Sequence, residues 1–247
     1  MRVSIVTLFP ELFSSFLTTS MVGRATSQGT LVVDLVDLRP FGLGKHRNVD
    51  DTPYGGGSGM VLRVEPLVAA LEEVDARAEA LGLEPAHRVL LTPQGRPLKQ
   101  PVAIGLVARP HVALVCGRYE GFDERVRSFV AEEISLGDFV MTGGEVAAMA
   151  IIEATARLLP GVLGNESSAF AESHSSALEG GLEYAQYTRP VEFRGHGVPD
   201  VLQSGNHQAI ETWRRREVAL RTRARRPDLS RAEEPSEGVR KKPGKTS

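Results

Sequence analysis

The amino-acid sequence predicts an α/β fold with a mostly parallel sheet that helices cover on both faces. Two observations support this prediction. Apolar, β-branched segments of strand length alternate with segments of helical spacing through the first 160 residues. Strands that are buried on both faces of a parallel sheet have this apolar character. The chain of 247 residues, of which 41% are hydrophobic, is long enough to enclose such a core.

Five segments are predicted to be strands, because each is short, apolar and rich in β-branched residues. They are RVSIVTL (2–8), TLVVDLVDL (30–38), HRVLLT (87–92), HVALVC (111–116) and EEISL (132–136). Segments in which apolar residues recur with helical spacing lie between and after them. The predicted helices cover residues 10–22, 65–81, 98–108, 122–130 and 144–159.

The ends of several predicted helices agree with their local chemistry. Pro10 suits the first turn of a helix, since its missing N–H would have no helical partner there. Gly82 directly follows residues 65–81 and can adopt the left-handed conformation that ends many helices. Pro160 and Gly161 interrupt the helical pattern of residues 144–159 and predict its end.

The composition of the chain changes after Pro160. Residues 161–181 are rich in Ser, Gly and Ala and lack periodicity, which is typical of a flexible linker or a functional loop. From about Val201 the chain is helical and basic, and its end has the composition of a disordered tail. We therefore expect an α/β domain over 1–160, a flexible interdomain linker over 161–186, a small helical domain over 187–230 and a disordered tail over 231–247.

The charge of the chain is unevenly distributed, although its net value is only −2. Between Trp213 and Arg226 there is a single acid, Glu217, against seven arginines at positions 214, 215, 216, 221, 223, 225 and 226. Such a block repels itself and favours an RNA or DNA backbone as partner. A solvated helix face is the alternative interpretation.

The sequence also bears on the cellular compartment. The single cysteine, Cys116, excludes an intrachain disulfide and fits a reducing compartment. The apolar run at the start of the chain is too short for a secretory signal and is interrupted by Pro10 and Glu11. No apolar stretch approaches the about 20 residues of a membrane span. We expect a cytoplasmic protein.

Three glycine-bearing turns follow successive predicted strands, namely TPQGRPL, CGRYEGFDERV and LGDFVMTGGE. Each alone is explained as a tight turn, but ligands of α/β sheets gather beyond the carboxyl ends of strands, so the three together predict a ligand pocket. Neither G-x-G-x-x-G nor G-x-x-x-x-G-K-[ST] occurs, and Glu120, Asp138 and Glu145 make the turns acidic. A cationic or neutral ligand therefore fits better than a triphosphate. A further loop, YGGGSGM (54–60), is either a close backbone contact to a large partner or a mobile connector.

Taken together, the motifs resemble those of the bacterial tRNA (guanine-N1)-methyltransferases of the SPOUT class, the TrmD family. The matching stretches extend from about Val3 to Leu229, and the most specific of them are PYGGGSGM, CGRYEG and GDFVMTGGE. The resemblance implies transfer of a methyl group from S-adenosylmethionine to N1 of the guanine 3′ of the tRNA anticodon, guanine-37. It also implies a C-terminal deep trefoil knot in the α/β domain and a homodimer with shared active sites.

The resemblance further implies which residues bind the methyl donor. The first turn supplies Pro93, and the second supplies Gly117, Tyr119 and Glu120. The third turn supplies the remaining eight residues, which are Leu136, Gly137, Asp138, Phe139, Val140, Met141, Gly143 and Gly144. A sulfonium donor without phosphates suits a pocket that is rich in glycine and lacks lysine.

Removal of the guanine N1 proton requires a general base, and the charge that develops on O6 requires a cation or donor. The family uses a linker aspartate and an arginine on the preceding helix for these roles. The arginine corresponds to Arg157, but the aspartate position holds Glu172, which we expect to be the base. His174 and Glu183 are the rival candidates.

The second part of the chain matches the RNA-contacting domain of the family. The residues expected to contact RNA are Tyr187, Arg189, Asn206, His207, Arg214 and Arg221. Helix capping by Asn206 and core packing of His207 are the alternatives. Magnesium dependence has been linked to the family, but no spaced carboxylate cluster indicates its ligands. The competing functions are a knotted RNA-binding protein with impaired catalysis and another SPOUT RNA methyltransferase.

Overall fold

The computed structural model describes residues 1–163 and 172–230, which form nine strands and six α-helices. The strands, in chain order, are β1 (Arg2–Thr7), β2 (Val32–Asp37), β3 (Asp50–Asp51), β4 (Val61–Leu62), β5 (His87–Pro97), β6 (His111–Cys116), β7 (Glu132–Ser135), β8 (Glu192–Phe193) and β9 (His196–Gly197). The helices are α1 (Ser20–Ser27), α2 (Val64–Ala80), α3 (Gln100–Val107), α4 (Glu145–Ala156), α5 (Asp200–Gln203) and α6 (His207–Arg225).

Five strands form the central sheet in the order β2-β1-β6-β5-β7, and every pair of neighbours is parallel. The predicted parallel sheet is therefore confirmed. Its strands β1 and β6 are buried along nearly their whole length, as expected for a sheet with two covered faces. Parallel pairing brings the carboxyl ends of β5, β6 and β7 to one edge of the sheet.

Helices cover both faces of the sheet. Successive strand residues point to opposite faces, and each face packs in its own apolar cluster with helices. In β6, Leu114 packs in the cluster that contains α1, α3 and α4, and its neighbour Val115 packs in the cluster that contains α2. Helix α4 follows the edge strand β7, yet it contacts β6, α1 and α3. The chain therefore returns from the sheet edge toward its centre between β7 and α4.

The strand β5 is irregular where it approaches the predicted first turn. Its register with β7 shifts, so that Leu91 and Arg96 both lie opposite Ile134. Residues 92–95 therefore bulge out of the ladder, as an extra segment in one strand does. At Gly95 a Cβ atom would lie 2.5 Å from the backbone nitrogen of Ile134, so only glycine allows this close approach.

The prediction of one helix over residues 10–22 is wrong. This segment contains two short 3-10 helices and then the start of α1, with boundaries at Pro10–Phe13, Phe16–Thr18 and Ser20–Ser27. The hydroxyl of Thr18 donates to the backbone carbonyl of Ser14 at 3.0 Å, and Ser20 has a φ of 56°. Side-chain hydroxyls that bond to nearby carbonyls compete with a continuous helix. The predicted helix at 122–130 is also a 3-10 helix, over Glu124–Phe129.

The described residues divide into two compact units, one formed by residues 1–163 and the other by residues 172–230. The second unit contains the β8–β9 hairpin, α5 and α6. Its first segment lies along α6, because the backbone N–H of Leu182 donates to the hydroxyl of Thr222 at 2.8 Å. The predicted domain boundaries remain predictions, and the predicted tail at 231–247 lies outside the described residues. Within residues 1–163 and 172–230, no helix is both long and apolar enough to span a membrane.

Candidate methyl-donor site and nucleic-acid interface

The three glycine-bearing turns lie together at the carboxyl ends of β5, β6 and β7. They enclose a pocket of about 290 Å³, which approaches the size range of small-molecule sites. The bulge of β5 forms one wall, the turn after β6 forms a second and the loop between β7 and α4 forms the third. Because β5, β6 and β7 are parallel, the turns that follow them meet at one edge of the sheet. They form the pocket predicted from the three glycine-bearing turns in the sequence.

Most residues that the family resemblance implies as donor contacts surround this pocket. Ten of the twelve line it, namely Pro93, Gly117, Tyr119, Glu120, Leu136, Phe139, Val140, Met141, Gly143 and Gly144. Gly137 and Asp138 lie in the same loop but are not on the pocket wall. These assignments remain predictions, since the grouping of residues does not identify a ligand.

The glycines of the third turn are required by close packing. A Cβ atom on Gly144 would lie 2.8 Å from the Cα atom of Cys116 and 2.9 Å from the backbone nitrogen of Gly117. The Gly144 N–H donates to the Gly117 carbonyl at 2.9 Å, which fastens the third turn to the second. On Gly143 a Cβ atom would lie 2.3 Å from Nε of Arg118. The two turns are thus in direct backbone contact.

The acids of the turns do not all face the pocket. Glu145 is almost completely buried, and its Oε2 lies 2.8 Å from Nη2 of Arg118, an ion-pair contact without a well-directed hydrogen bond. Neither Asp138 nor Glu145 lines the pocket wall. Among the described residues, the charged ones that line it are two acids and two arginines, namely Glu120, Glu124, Arg118 and Arg127. The wall is therefore balanced in charge and lacks the acidic character expected of the turns.

The buried thiol of Cys116 lies at the base of this arrangement. Its burial raises the pKa of Cys116 well above the ordinary thiol value, and the Glu145 carboxylate raises it further. The thiol is therefore protonated near neutral pH and acts as a small apolar side chain at the end of β6.

Sequence reasoning missed several residues of the pocket. Arg118 and Phe122 line it and lie within or beside the CGRYEG motif, which could have indicated them. Arg127 also lines it and donates to the side-chain oxygen of Gln94 at 2.6 Å, which joins the first turn to the helix after the second. The spacing of the sequence gives no signal for this contact, because 33 residues separate the partners.

The loop of residues 54–60 lies beside the second turn. The backbone N–H of Glu120 donates to the carbonyl of Met60 at 2.9 Å. A Cβ atom on Gly59 would lie 2.5 Å from the Glu120 carboxylate, and Gly59 has a φ of 84°. Tyr54, at the start of the loop, is fully exposed. The loop is thus anchored to the pocket wall at one end and presents an aromatic side chain at the other.

The two proposed catalytic residues belong to different units. Arg157 is the C-cap residue of α4, whose 12 residues span about 18 Å, so it lies at the opposite end of α4 from Gly144. Glu172 belongs to the second unit, where its carbonyl accepts a hydrogen bond from the Ser175 N–H at 3.0 Å. Because the two residues lie in separate units, the pairing of their side chains stays a prediction.

The rival base candidates share the loop of Glu172. His174 has a φ of 70°, and its N–H donates to the Gly181 carbonyl at 2.8 Å. The N–H of Glu183 donates to the hydroxyl of Ser173 at 3.0 Å. All three candidates therefore lie in one folded segment that packs beside α6.

The expected RNA contacts fall into structural and exposed groups. Asn206 caps α6, since its side-chain oxygen accepts a hydrogen bond from the Ala209 N–H at 3.1 Å. Arg214 is partly buried, with its guanidinium 4.7 Å from the ring centre of Tyr184. Tyr187 is about half exposed and contacts the ring of Trp213. The remaining expected contacts are exposed or partly exposed, namely Arg189, His207 and Arg221.

The fold and the pocket define a class: an α/β protein with a glycine-walled pocket at one edge of a parallel sheet, followed by a second unit with an arginine-rich helix. Across residues 1–163 and 172–230, no group of three or more His, Cys, Asp or Glu side chains is arranged to hold a metal ion. A family model described as tRNA (Guanine-1)-methyltransferase TrmD matches residues 1–232. The chain belongs to this family.

Curated relatives agree with this membership. A tRNA (guanine-N(1)-)-methyltransferase of Sorangium cellulosum is 66% identical over 94% of this chain and 94% of its own. One of Thermus thermophilus is 52% identical over 93% of this chain and 91% of its own. One of Levilactobacillus brevis is 50% identical over 93% of this chain and 89% of its own.

Proposed function

We propose that the chain transfers a methyl group from S-adenosylmethionine to N1 of the guanine 3′ of the tRNA anticodon, guanine-37. The observation that carries this proposal is the pocket itself, since three stretches that match the family, TPQGRPL, CGRYEG and GDFVMTGGE, form its walls. Membership of the tRNA (Guanine-1)-methyltransferase family over residues 1–232 supports the same activity. The relatives at 50% to 66% identity carry the name of this enzyme.

The pocket residues fit an adenosyl sulfonium donor. Its glycines expose backbone N–H and C=O groups that can recognise adenine, and Leu91, Ile134 and Ala147 supply apolar surface. The pocket wall includes no lysine among the described residues, which suits a ligand without phosphates. When bound, the donor supplies an electrophilic methyl group. Glu120 is the carboxylate of the second turn that lines the pocket and can face the positive sulfur.

The proposed chemistry requires one proton transfer and one charge contact from this chain. The Glu172 carboxylate accepts the guanine N1 proton, which turns N1 into a nucleophile. The Arg157 guanidinium stabilises the negative charge that develops on O6. Glutamate is one methylene longer than the family's aspartate, and the folded segment of residues 172–183 has to absorb this length.

The proposal includes a homodimer, a deep trefoil knot and a tRNA-binding surface. The homodimer is what membership of the TrmD family implies, and in it Arg157 and the loop of Glu172 would contribute to shared active sites. The return of the chain from edge strand β7 to the sheet centre, and the backbone contact between Gly144 and Gly117, support the knot. The exposed arginines of α6 support tRNA binding through phosphates.

A transfer assay with two tRNA transcripts tests this function. Labelled S-adenosylmethionine should methylate an unmodified transcript with guanine at position 37, and should leave a transcript with adenine at that position unlabelled. Binding of both transcripts is measured in parallel. Tight tRNA binding without transfer would instead favour an RNA-binding protein with impaired catalysis, a candidate raised by Glu172 in place of the family's aspartate.

A further inference from the structure

The carboxylate of Glu145 is buried, yet it does not line the pocket. Its side chain is 2% exposed, and its charge is paired with Arg118, whose side chain is 20% exposed. The hydroxyl of Thr7 donates to Oε1 of Glu145 at 2.8 Å, and Nε of Arg118 donates to the same oxygen at 3.2 Å. A buried carboxylate is tolerated only with such partners, because its desolvation is costly.

This carboxylate joins three segments that are distant in the sequence. Thr7 lies at the end of β1, Arg118 lies in the turn after β6, and Glu145 itself begins α4. Arg118 also lies 4.5 Å from the ring centre of Phe9 and donates to the Thr142 carbonyl at 3.4 Å. The guanidinium is therefore held between the end of β1 and the third turn of the pocket.

The ion pair also explains the residue at position 143. A Cβ atom there would lie 2.3 Å from Arg118 Nε and 2.6 Å from Glu145 Oε2. The pair thus packs directly on the backbone of Gly143, which lines the pocket together with Arg118. If the guanidinium left this position, the second and third turns would lose the contacts that Arg118 makes with Gly143 and with the Thr142 carbonyl.

We propose that Glu145 is a positioning residue for the methyl donor, which acts by fixing Arg118 and thereby the spacing of the two turns. This inference rests on the proposed function, because it assumes that the pocket binds S-adenosylmethionine. Without the carboxylate, the Arg118 guanidinium loses its ion-pair partner. It then moves away from Gly143, either into solvent or into the pocket. Glu145 itself touches neither donor nor RNA.

Two substitutions separate charge pairing from packing. Glu145→Gln keeps the size of the side chain and removes its charge, whereas Glu145→Asp keeps the charge and shortens the side chain. We expect Glu145→Gln to raise the donor Kd about tenfold or more, and Glu145→Asp to raise it less than about threefold, because the flexible arginine can follow the carboxylate. If Glu145 acted only through the packing of its side chain, the shorter Glu145→Asp variant would have the higher donor Kd of the two.

Titration calorimetry with S-adenosylmethionine measures these constants, and steady-state assays should show a raised KM for the donor with an unchanged KM for tRNA. Leu71→Ala is the stability control, since Leu71 is buried in the cluster on the other sheet face. It should lower the Tm and leave the donor Kd unchanged. Thr7→Val, which removes one hydrogen bond to the carboxylate, should raise the donor Kd about threefold. If Glu145→Gln does not fold, the donor Kd of Thr7→Val tests the positioning role of Glu145 instead.

The outcomes distinguish this inference from the proposed function. If the wild-type protein binds the donor and Glu145→Gln has the same donor Kd, the positioning role is overturned and the proposed function stands. The same holds if Glu145→Asp has a higher donor Kd than Glu145→Gln. An unchanged Kd in Thr7→Val, where Gln does not fold, overturns it as well. If the wild-type protein itself binds no donor, the proposed function fails and the inference fails with it.

Discussion

Replacing Glu172 by glutamine is expected to lower the rate of methyl transfer at least about a hundredfold, because general-base catalysis contributes factors of this order. Glutamine keeps the size of the side chain but cannot accept the guanine N1 proton. Glu172 is proposed to act on the guanine N1 proton and does not line the pocket proposed for the donor, so the Kd for S-adenosylmethionine should stay unchanged. Single-turnover transfer to a tRNA transcript, together with donor titration, measures both quantities.

The other groups of the same loop provide the matched controls. His174→Ala and Glu183→Gln change the rival base candidates and should retain most of the transfer rate. Near wild-type turnover in Glu172→Gln, together with an inactive His174→Ala, would assign the base to the histidine. Glu172→Asp adds a comparison of length: a faster Asp variant means that glutamate is a tolerated compromise, and a slower one means that the local backbone has adapted to it.

Gly144→Ala is expected to abolish donor binding, with a Kd raised about a hundredfold or more, and to lower the free energy of unfolding by about 1–3 kcal/mol. The new Cβ would lie 2.8 Å from the Cα of Cys116, and backbone atoms cannot move aside as a flexible side chain can. The third turn must therefore shift away from the second, and the pocket between them changes shape. Titration calorimetry and thermal unfolding measure the two effects.

A second glycine offers a matched control for this substitution. Gly105 lies within α3, and a Cβ added there would meet no atom within 4 Å. Gly105→Ala should therefore leave donor binding unchanged and stabilise the protein by up to about 1 kcal/mol, since alanine favours a helix over glycine. If Gly144→Ala bound the donor as Gly105→Ala does, close contact between the two turns would not be needed for the pocket.

The strands could be predicted from the sequence because their apolar pattern reflects burial on both faces. The prediction of one helix at residues 10–22 failed for a local reason. Its apolar spacing is helical, but the hydroxyls of Thr18 and Thr19 bond to backbone carbonyls one turn earlier and Ser20 adopts a positive φ. Periodicity describes which side chains are buried and does not register this competition.

The pocket could be predicted in outline, because three glycine turns after parallel strands must meet at one edge of a sheet. Its electrostatics could not. In the sequence Glu145 is one of the acids of the turns, yet in the structure it is buried against Arg118, which lies 27 residues earlier in the chain. The same limit applies to Arg214, whose guanidinium lies over Tyr184 instead of lying fully in solvent. Pairings of this kind depend on the tertiary fold and leave no local signal.

The measurement that tests the central claim most directly is the identity and position of the methylated nucleotide. The wild-type protein is incubated with S-adenosylmethionine and an unmodified tRNA transcript, and the RNA is digested and analysed by mass spectrometry. We expect N1-methylguanosine at position 37 and at no other position. A ribose 2′-O-methylated nucleotide, or a methylated base elsewhere in the tRNA, would contradict it.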